Sequence, residues 1–255
     1  MESITLLSGL AKDGTHENFD PLLLKPGEMY AIVGNTGSGK SRLIKDVEQL
    51  VSGDSVTGRT VLLDGKVIPP EERIKISGGL VAHLEQTMRF VLDVTVSEFI
   101  DLHCQCRHKT NVSMEEVLDA ANSITQEPII PDQHLNLLSG GQSRALMIAD
   151  IALICDSPIV LIDEIENAGV NKTKALELLT GKDKLVLMVT HDPHTALMAT
   201  KRIVLKNGAV EALLERSAQE TEIFSRLEKN YHEHVKLQHL MRKGVHLENS
   251  NLILE

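Results

Sequence analysis

The run Gly34-Asn35-Thr36-Gly37-Ser38-Gly39-Lys40-Ser41 carries the most specific chemistry in this sequence. It fits G-x-x-x-x-G-K-[ST], a loop that binds phosphates. Glycines let the backbone curl until successive N–H groups point inward at the α- and β-phosphates. Lys40 brings a mobile positive charge to the β- and γ-phosphates, and the Ser41 hydroxyl is suited to ligate Mg²⁺. The flanks agree with this reading. Met29–Val33 is a short apolar run that predicts a buried strand, and Leu43, Ile44, Val47 and Leu50 recur at helical spacing beyond the loop. The phosphates would therefore sit on a helix N-terminus.

Other chemistry-bearing residues fall at the ends of predicted elements. Ile159-Val160-Leu161-Ile162 predicts a strand closed by the carboxylate pair Asp163-Glu164. Residues 79–86 predict a strand ending on Gln86, and Leu185–Val189 predicts one followed by Thr190-His191-Asp192. Leu138-Ser139-Gly140-Gly141-Gln142 opens a helix whose apolar face is Ala145, Leu146, Ile148, Ala149 and Ala152. An apolar strand that delivers Asp163 at its C-terminal end sets a carboxylate beside the Mg²⁺ site. Ser139 with the Gly140-Gly141 amides makes a second phosphate-binding turn at a helix start.

In this order the motifs resemble those of the ATP-binding cassette (ABC) ATPases, over roughly residues 1–214. Residues 138–142 match the signature LSGGQ in full, and Ile159–Glu164 is similar to the Walker B strand. Gln86 stands where the Q-loop glutamine is expected, and His191 where the switch histidine is expected. The resemblance implies an α/β fold: a P-loop NTPase core of ABC type with an antiparallel β subdomain and a helical subdomain at about 93–150. Residues 215–255 then form a C-terminal helical extension.

It also implies Mg-ATP as ligand, with Gly34, Asn35, Thr36, Gly37, Ser38, Gly39, Lys40 and Ser41 on the nucleotide and Ser41, Gln86 and Asp163 on Mg²⁺. Glu164 is the implied general base, His191 holds the γ-phosphate and the water in line, and Gln86 assists them. Ser139, Gly140, Gly141 and Gln142 would meet the nucleotide of an opposing subunit, in a head-to-tail homodimer or beside a second cassette. Two departures stand out. The stacking aromatic expected before the loop is replaced by Ala11 and its neighbours, with His16 and Phe19 as the nearest substitutes. After Glu164 the usual Pro-Thr-Ser-Ala-Leu-Asp is replaced by Ile165-Glu166-Asn167-Ala168-Gly169-Val170, with Asn171 as the nearest polar residue.

Composition bounds the partners. The 255 residues suffice for a full core, in one large domain or two small ones. No apolar run approaches the ~20 residues of a membrane-spanning helix, and the N-terminus lacks the features of a signal peptide. Three cysteines, an odd number, suit a reducing cytosol. A net charge of -10 argues against general nucleic-acid binding, and 2% aromatic residues against base stacking.

The remaining pattern predicts strands at 2–7, about 20–24 and 60–65, and a helix start at Pro69-Pro70. A helical run from Val94 to Asn122 follows, then a helix near Lys172–Leu179 and a hairpin turning at Asn207-Gly208. His103-Cys104-Gln105-Cys106-Arg107-His108 reads as ordinary helix packing rather than a metal site. In the tail, Ile223 or Phe224, Leu227, Tyr231, Val235 and Met241 recur at helical spacing. That stripe is expected to pack on a cassette rather than build a metal site from His232 and His234. The leading functional expectation is the nucleotide-binding subunit of a membrane transporter, cytoplasmic or peripheral at the inner face of the membrane through a separate permease. The alternative is a soluble cytosolic ATPase that remodels a protein client such as a metalloenzyme.

Overall fold

Short runs rich in Val, Ile and Leu at 29–33, 159–163 and 185–189 build the middle of the central sheet, where both faces are covered. The computed structural model describes residues 1–247 apart from Gln86, Ala168 and Lys182. Strands β3 (Met29–Val33), β7 (Ile159–Asp163) and β8 (Leu185–Val189) run parallel, and β6 (Val81–Leu84) closes one edge beside β7. On the other side β3 pairs with β9 (Lys201–Lys206), and β10 (Ala209–Glu215) returns antiparallel to it. The six strands lie in the order β10-β9-β3-β8-β7-β6.

Alternation along each strand divides the core in two. Ile159, Leu161, Leu185, Leu187 and Val189 face one layer with helix α1 (Lys40–Glu48). That layer is closed by a second, antiparallel sheet of β1 (Ile4–Leu7), β2 (Leu22–Leu24), β4 (Thr60–Leu63) and β5 (Lys66–Val67). Val160, Ile162, Val186 and Met188 face the opposite layer, built by α3 (Val96–Cys106), α4 (Met114–Ile124), α5 (Gly140–Leu153) and α6 (Lys172–Thr180). Full burial of such side chains stabilises by roughly 1.5–3 kcal/mol each before entropy is counted.

The boundaries differ from the periodicity in three places. Residues 79 and 80 finish helix α2 (Pro70–Leu80) instead of starting a strand, and β6 begins only where Val81 finds its partner Ile159. The run 94–122 is two helices. His108 takes a left-handed conformation, and Ser113 restarts the chain with a capping box to Glu116. The tail helix α8 (Ala218–Arg242) turns Phe224 and Tyr231 inward, whereas Ile223 and Met241 remain 47% and 63% exposed. Positions 224, 227, 231 and 235 follow the 3.6 period, and Ile223 lies about 100° off it.

Beneath the phosphate loop sits a buried ion network. Arg59 donates to Glu17 through Nε (2.8 Å) and Nη2 (2.6 Å), to Asp46 Oδ2 (3.1 Å) and to the carbonyl of Gly208 (2.6 Å). Glu17 also accepts the N–H groups of Gly9 (2.8 Å) and Val210 (2.7 Å). The network joins the antiparallel sheet, α1 and the β9–β10 turn. Arg59→Met leaves two buried carboxylates without their cation. It should cost about 3–5 kcal/mol of unfolding free energy, measured by urea denaturation. A loss below about 1 kcal/mol would show that the network is not a structural joint.

Candidate active site

The loop between β3 and α1 is shaped by a close backbone approach. A Cβ on Gly34 would lie 2.3 Å from the Leu205 carbonyl and 2.6 Å from Ser38 Oγ, so β9 and the loop itself exclude any side chain there. Gly208, at φ 85°, turns the β9–β10 hairpin under the loop and donates its N–H to the Ser38 carbonyl at 2.9 Å. No side chain caps α1, whereas α3, α4 and α5 each begin with a capping box. The N–H groups at the very start of α1 are therefore left to an anion, while that of Arg42 already donates to the Gly39 carbonyl at 3.0 Å. Lys40 is buried and curls back, its Nζ donating to the carbonyls of Gly34 (2.8 Å) and Asn35 (3.1 Å). Burial pulls its pKa below the usual lysine range, partly offset by Glu164 and Asp163.

One cleft is lined by Lys12, Thr36, Lys40, Ser41, Asp163, Glu164 and His191, among others. Burial, then the charge of Glu164, pushes the Asp163 carboxyl above the usual range. Two neighbouring carboxylates and a hydroxyl are hard oxygen donors, and a divalent cation would relieve the strain of holding both charges there. The donor set therefore fits Mg²⁺. Glu164 occupies the left-handed region at φ 49° and donates its N–H to the Val189 carbonyl at 3.1 Å. His191 Nε2 lies 3.9 Å from Glu164 Oε1.

Several neighbours of the motif residues were not singled out by their types. Lys12 Nζ donates to the carbonyl of Gly37. Glu166 accepts from Thr190 Oγ1 (2.8 Å) and from the His191 N–H (3.1 Å), tying the turn after β7 to the segment after β8. Arg144 on α5 donates to the carbonyls of Glu85 (2.9 Å) and Asp163 (2.9 Å), which joins that helix to the ends of β6 and β7. Neither His16 nor Phe19 lines the cleft, and Phe19 packs against the core. Gln86 lies outside the described residues.

The Ser139–Gln142 turn, expected to bind a second phosphate, lies elsewhere on the chain. Ser139 and Gly141 open on a separate hollow, shared with Gly169 and the end of α8. Ser139 caps α5 by accepting the Gln142 N–H at 3.2 Å, and Gln142 Oε1 accepts the Ser139 N–H at 2.9 Å. Gln142 Nε2 donates to the Pro128 carbonyl at 2.9 Å, so this buried side chain shapes the turn from within. Asn171 is likewise a cap, its Oδ1 accepting the Lys174 N–H at 3.1 Å at the start of α6.

The ABC transporter family model matches residues 21–167. The chain belongs to the ABC ATPase family. It is 44% identical over 256 residues, all of its own length and 98% of the other, to an uncharacterized ABC transporter ATP-binding protein of Methanocaldococcus jannaschii. A second uncharacterized ABC transporter ATP-binding protein of that organism is 30% identical over 203 residues, 74% of this chain and 85% of its own. Among solved structures, a dimeric ATP-binding cassette in a post-hydrolysis state with ADP and Pi aligns at a TM-score of 0.60. It shares 26% identity and covers 83% of this chain and 98% of its own.

This ABC cassette is thus a nucleotide-binding ATP hydrolase with a P-loop α/β fold. His191 is followed by Asp192, which caps a short helix, α7 (Pro193–Met198). Burial opposes the charge on Asp192, but Lys172 and the hydroxyl and N–H of Thr195 outweigh it and hold the carboxyl down at about 2. A depressed carboxyl pKa stabilises the fold above its unfolded value, near 3.8, and this contribution is lost as pH falls through about 2. The melting-temperature gap between wild type and Asp192→Asn should be full above the unfolded value and close as the pH approaches about 2. A gap independent of pH over that window would contradict the assignment.

Proposed function

We propose that this cassette hydrolyses Mg-ATP at two composite sites of a head-to-tail homodimer and drives a separate membrane permease. The observation that carries this reading is the separation of its two phosphate-binding elements: the P-loop cleft holds Lys40, Asp163, Glu164 and His191, while Ser139 and Gly141 open on another hollow. One chain cannot close its own signature turn over its own P-loop nucleotide, whereas two chains facing head to tail complete each other. The dimeric state of the post-hydrolysis cassette supports this arrangement.

The chemistry follows from the residues. P-loop N–H groups cradle the α- and β-phosphates, and Lys40 exchanges its two carbonyl partners for the β- and γ-phosphate oxygens. Ser41 and Asp163, with Gln86 as a further ligand, hold Mg²⁺, which when bound neutralises charge on the phosphate oxygens. Water attacks the γ-phosphorus, Glu164 takes its proton, and the β–γ bridging oxygen leaves with the bond electrons. His191 donates to a γ-phosphate oxygen and keeps Glu164 aligned. Ser139 and the Gly140-Gly141 amides of the opposing subunit close over the γ-phosphate, with Gln142 holding that turn in shape. In this reading residues 1–214 are the ATPase unit and 215–255 an extension of it.

A groove beside the edge strand β6 supports a permease partner. Leu84, Met88, Phe90, Met147 and Ile151 line it, with Arg107 at its margin, and Val91 nearby is 96% exposed. A short amphipathic helix from a membrane protein would bury its apolar face there. The relatives' designation as transporter ATP-binding proteins favours the same partner and a cytoplasmic location at the membrane's inner face.

Glu164→Gln keeps the shape of the site and removes the base. ATP binding should persist while turnover falls by about 100-fold or more, and Mg-ATP should double the mass seen by light scattering. Lys40→Ala should instead weaken nucleotide binding itself. Wild-type turnover in both variants, or one mass with and without Mg-ATP, would refute the composite site. For the partner, pull-down from the native membrane fraction should recover a multi-span protein with the wild type and lose it with Met147→Glu. Equal recovery of soluble clients alone by both proteins would move the cassette to a cytosolic role.

A further inference from the structure

The tail helix is fastened to the cassette at one buried histidine. His194, on α7, is 4% exposed. Its Nε2–H donates to Glu228 Oε2 at 2.6 Å, and its Nδ1 has no hydrogen-bond partner among the described residues. The imidazole is stacked by Tyr231 (centroids 4.8 Å apart, planes at 18°) and by Phe224 (5.5 Å, 13°). Stacked rings add about 0.5–1.5 kcal/mol each beyond the area they bury. Lys172 Nζ lies 4.6 Å above the Tyr231 ring while it pairs with Asp192. At the far end of α7, Arg216 donates to the Leu197 carbonyl at 2.6 Å with its guanidinium 5.1 Å from the Phe224 ring.

These contacts fall on the segment that carries the switch histidine. Helix α7 has six residues, too few to hold its shape alone. On one side it rests on β3 through Ala31, Ala196 and Ala199, whose small side chains permit a close approach. On the other side it meets α8, while Lys172 of α6 holds its cap Asp192 and donates to Thr195 Oγ1 at 2.9 Å. His191 is two residues before Pro193, where α7 begins, and its backbone N–H is held by Glu166. The position of His191 is thus bounded by Glu166 at one end and, past the Lys172 contacts to Asp192 and Thr195, by the His194 clamp at the other.

We propose that Glu228 and Tyr231 of the tail are positioning residues for hydrolysis, fixing through His194 the segment from which His191 reaches the γ-phosphate. This rests on the reading of His191 as a γ-phosphate contact. The residues that line the nucleotide cleft come from elements other than α8, so loosening the clamp should act on the chemical step and spare ground-state binding. A displacement of about 1 Å at a positioning group costs up to about 100-fold in rate, and a partial release should cost less.

The test compares full-length wild type with Tyr231→Ala, Glu228→Gln, Tyr231→Phe and His191→Ala, reading kcat and KM for Mg-ATP and amide exchange over residues 190–198. Tyr231→Ala should lower kcat roughly tenfold with KM within about twofold, and amide exchange over that segment should quicken. Tyr231→Phe keeps the ring on His194 and should restore most of the rate. Glu228→Gln preserves the fold even if Tyr231→Ala does not, and should show the same kcat-only loss in smaller measure. An unchanged kcat in both tail variants, or a loss shared equally by kcat/KM and nucleotide binding, would overturn the clamp. If His191→Ala turns over like wild type, the role of His191 has failed, and any tail effect does not run through it. If His191→Ala is inactive while both tail variants are fully active, only the clamp has failed.

Discussion

Everything around the phosphate loop depends on one buried guanidinium. Arg59 neutralises two buried carboxylates, and its third contact holds the Gly208 turn against the underside of the loop. The two acids respond differently to the same cation. Burial raises the pKa of Glu17, but a bidentate Arg59 and two backbone N–H groups outweigh it, and the carboxyl ends below its usual range. Asp46 receives one longer contact from Arg59 together with Thr57 and Ser55 hydroxyls, and there burial prevails and the carboxyl ends above it. The difference follows the number and charge of the donors on each oxygen. Apolar groups in the same volume would pack as well. They would not direct the Gly208 carbonyl and the Glu17 oxygens to single positions.

Above that joint the site is held in a charged, partly desolvated state without its substrate. Lys40 spends its protons on its own loop carbonyls, while Asp163 and Glu164 repel each other at the end of β7. Phosphates would satisfy the lysine and the amides at the start of α1, and a divalent cation would satisfy the carboxylate. The arrangement is thereby preorganised for an anion paired with a cation, which is the charge pattern of a nucleotide–metal complex.

Mechanical continuity comes from residues outside the motifs. Arg144 locks the helix that follows the signature turn to the carbonyl of Asp163, so that a movement of α5 is felt at the end of β7. Glu166 joins the next turn to Thr190 and His191. The signature turn, the carboxylate pair and the switch histidine are in this way one connected assembly. The hollow before Ser139 and the cleft before Lys40 nevertheless open separately.

The phosphate loop, the carboxylate pair after β7, the signature turn and the strand–helix order were legible in the sequence, because phosphate chemistry and helix capping act over a few neighbouring residues. Ser139 to Gln142 is such a case: the box that starts α5 is written in four consecutive positions. The break at Ser113 escaped the apolar spacing, which runs straight across it; the signal was the Ser113–Glu116 capping box. The tertiary structure decided which long-range partners those residues meet. Lys12 reaches Gly37, Glu166 reaches Thr190, and His194 is enclosed by Phe224, Glu228 and Tyr231, none of which local periodicity specifies. It also decided that Gln142 turns inward and that Phe224, half-buried, stacks on His194 while Ile223 beside it stays exposed. A residue's type states which contacts it can make. Which contact it does make is set by the surface that the rest of the chain brings against it, and that surface exists only once both layers have packed on the sheet.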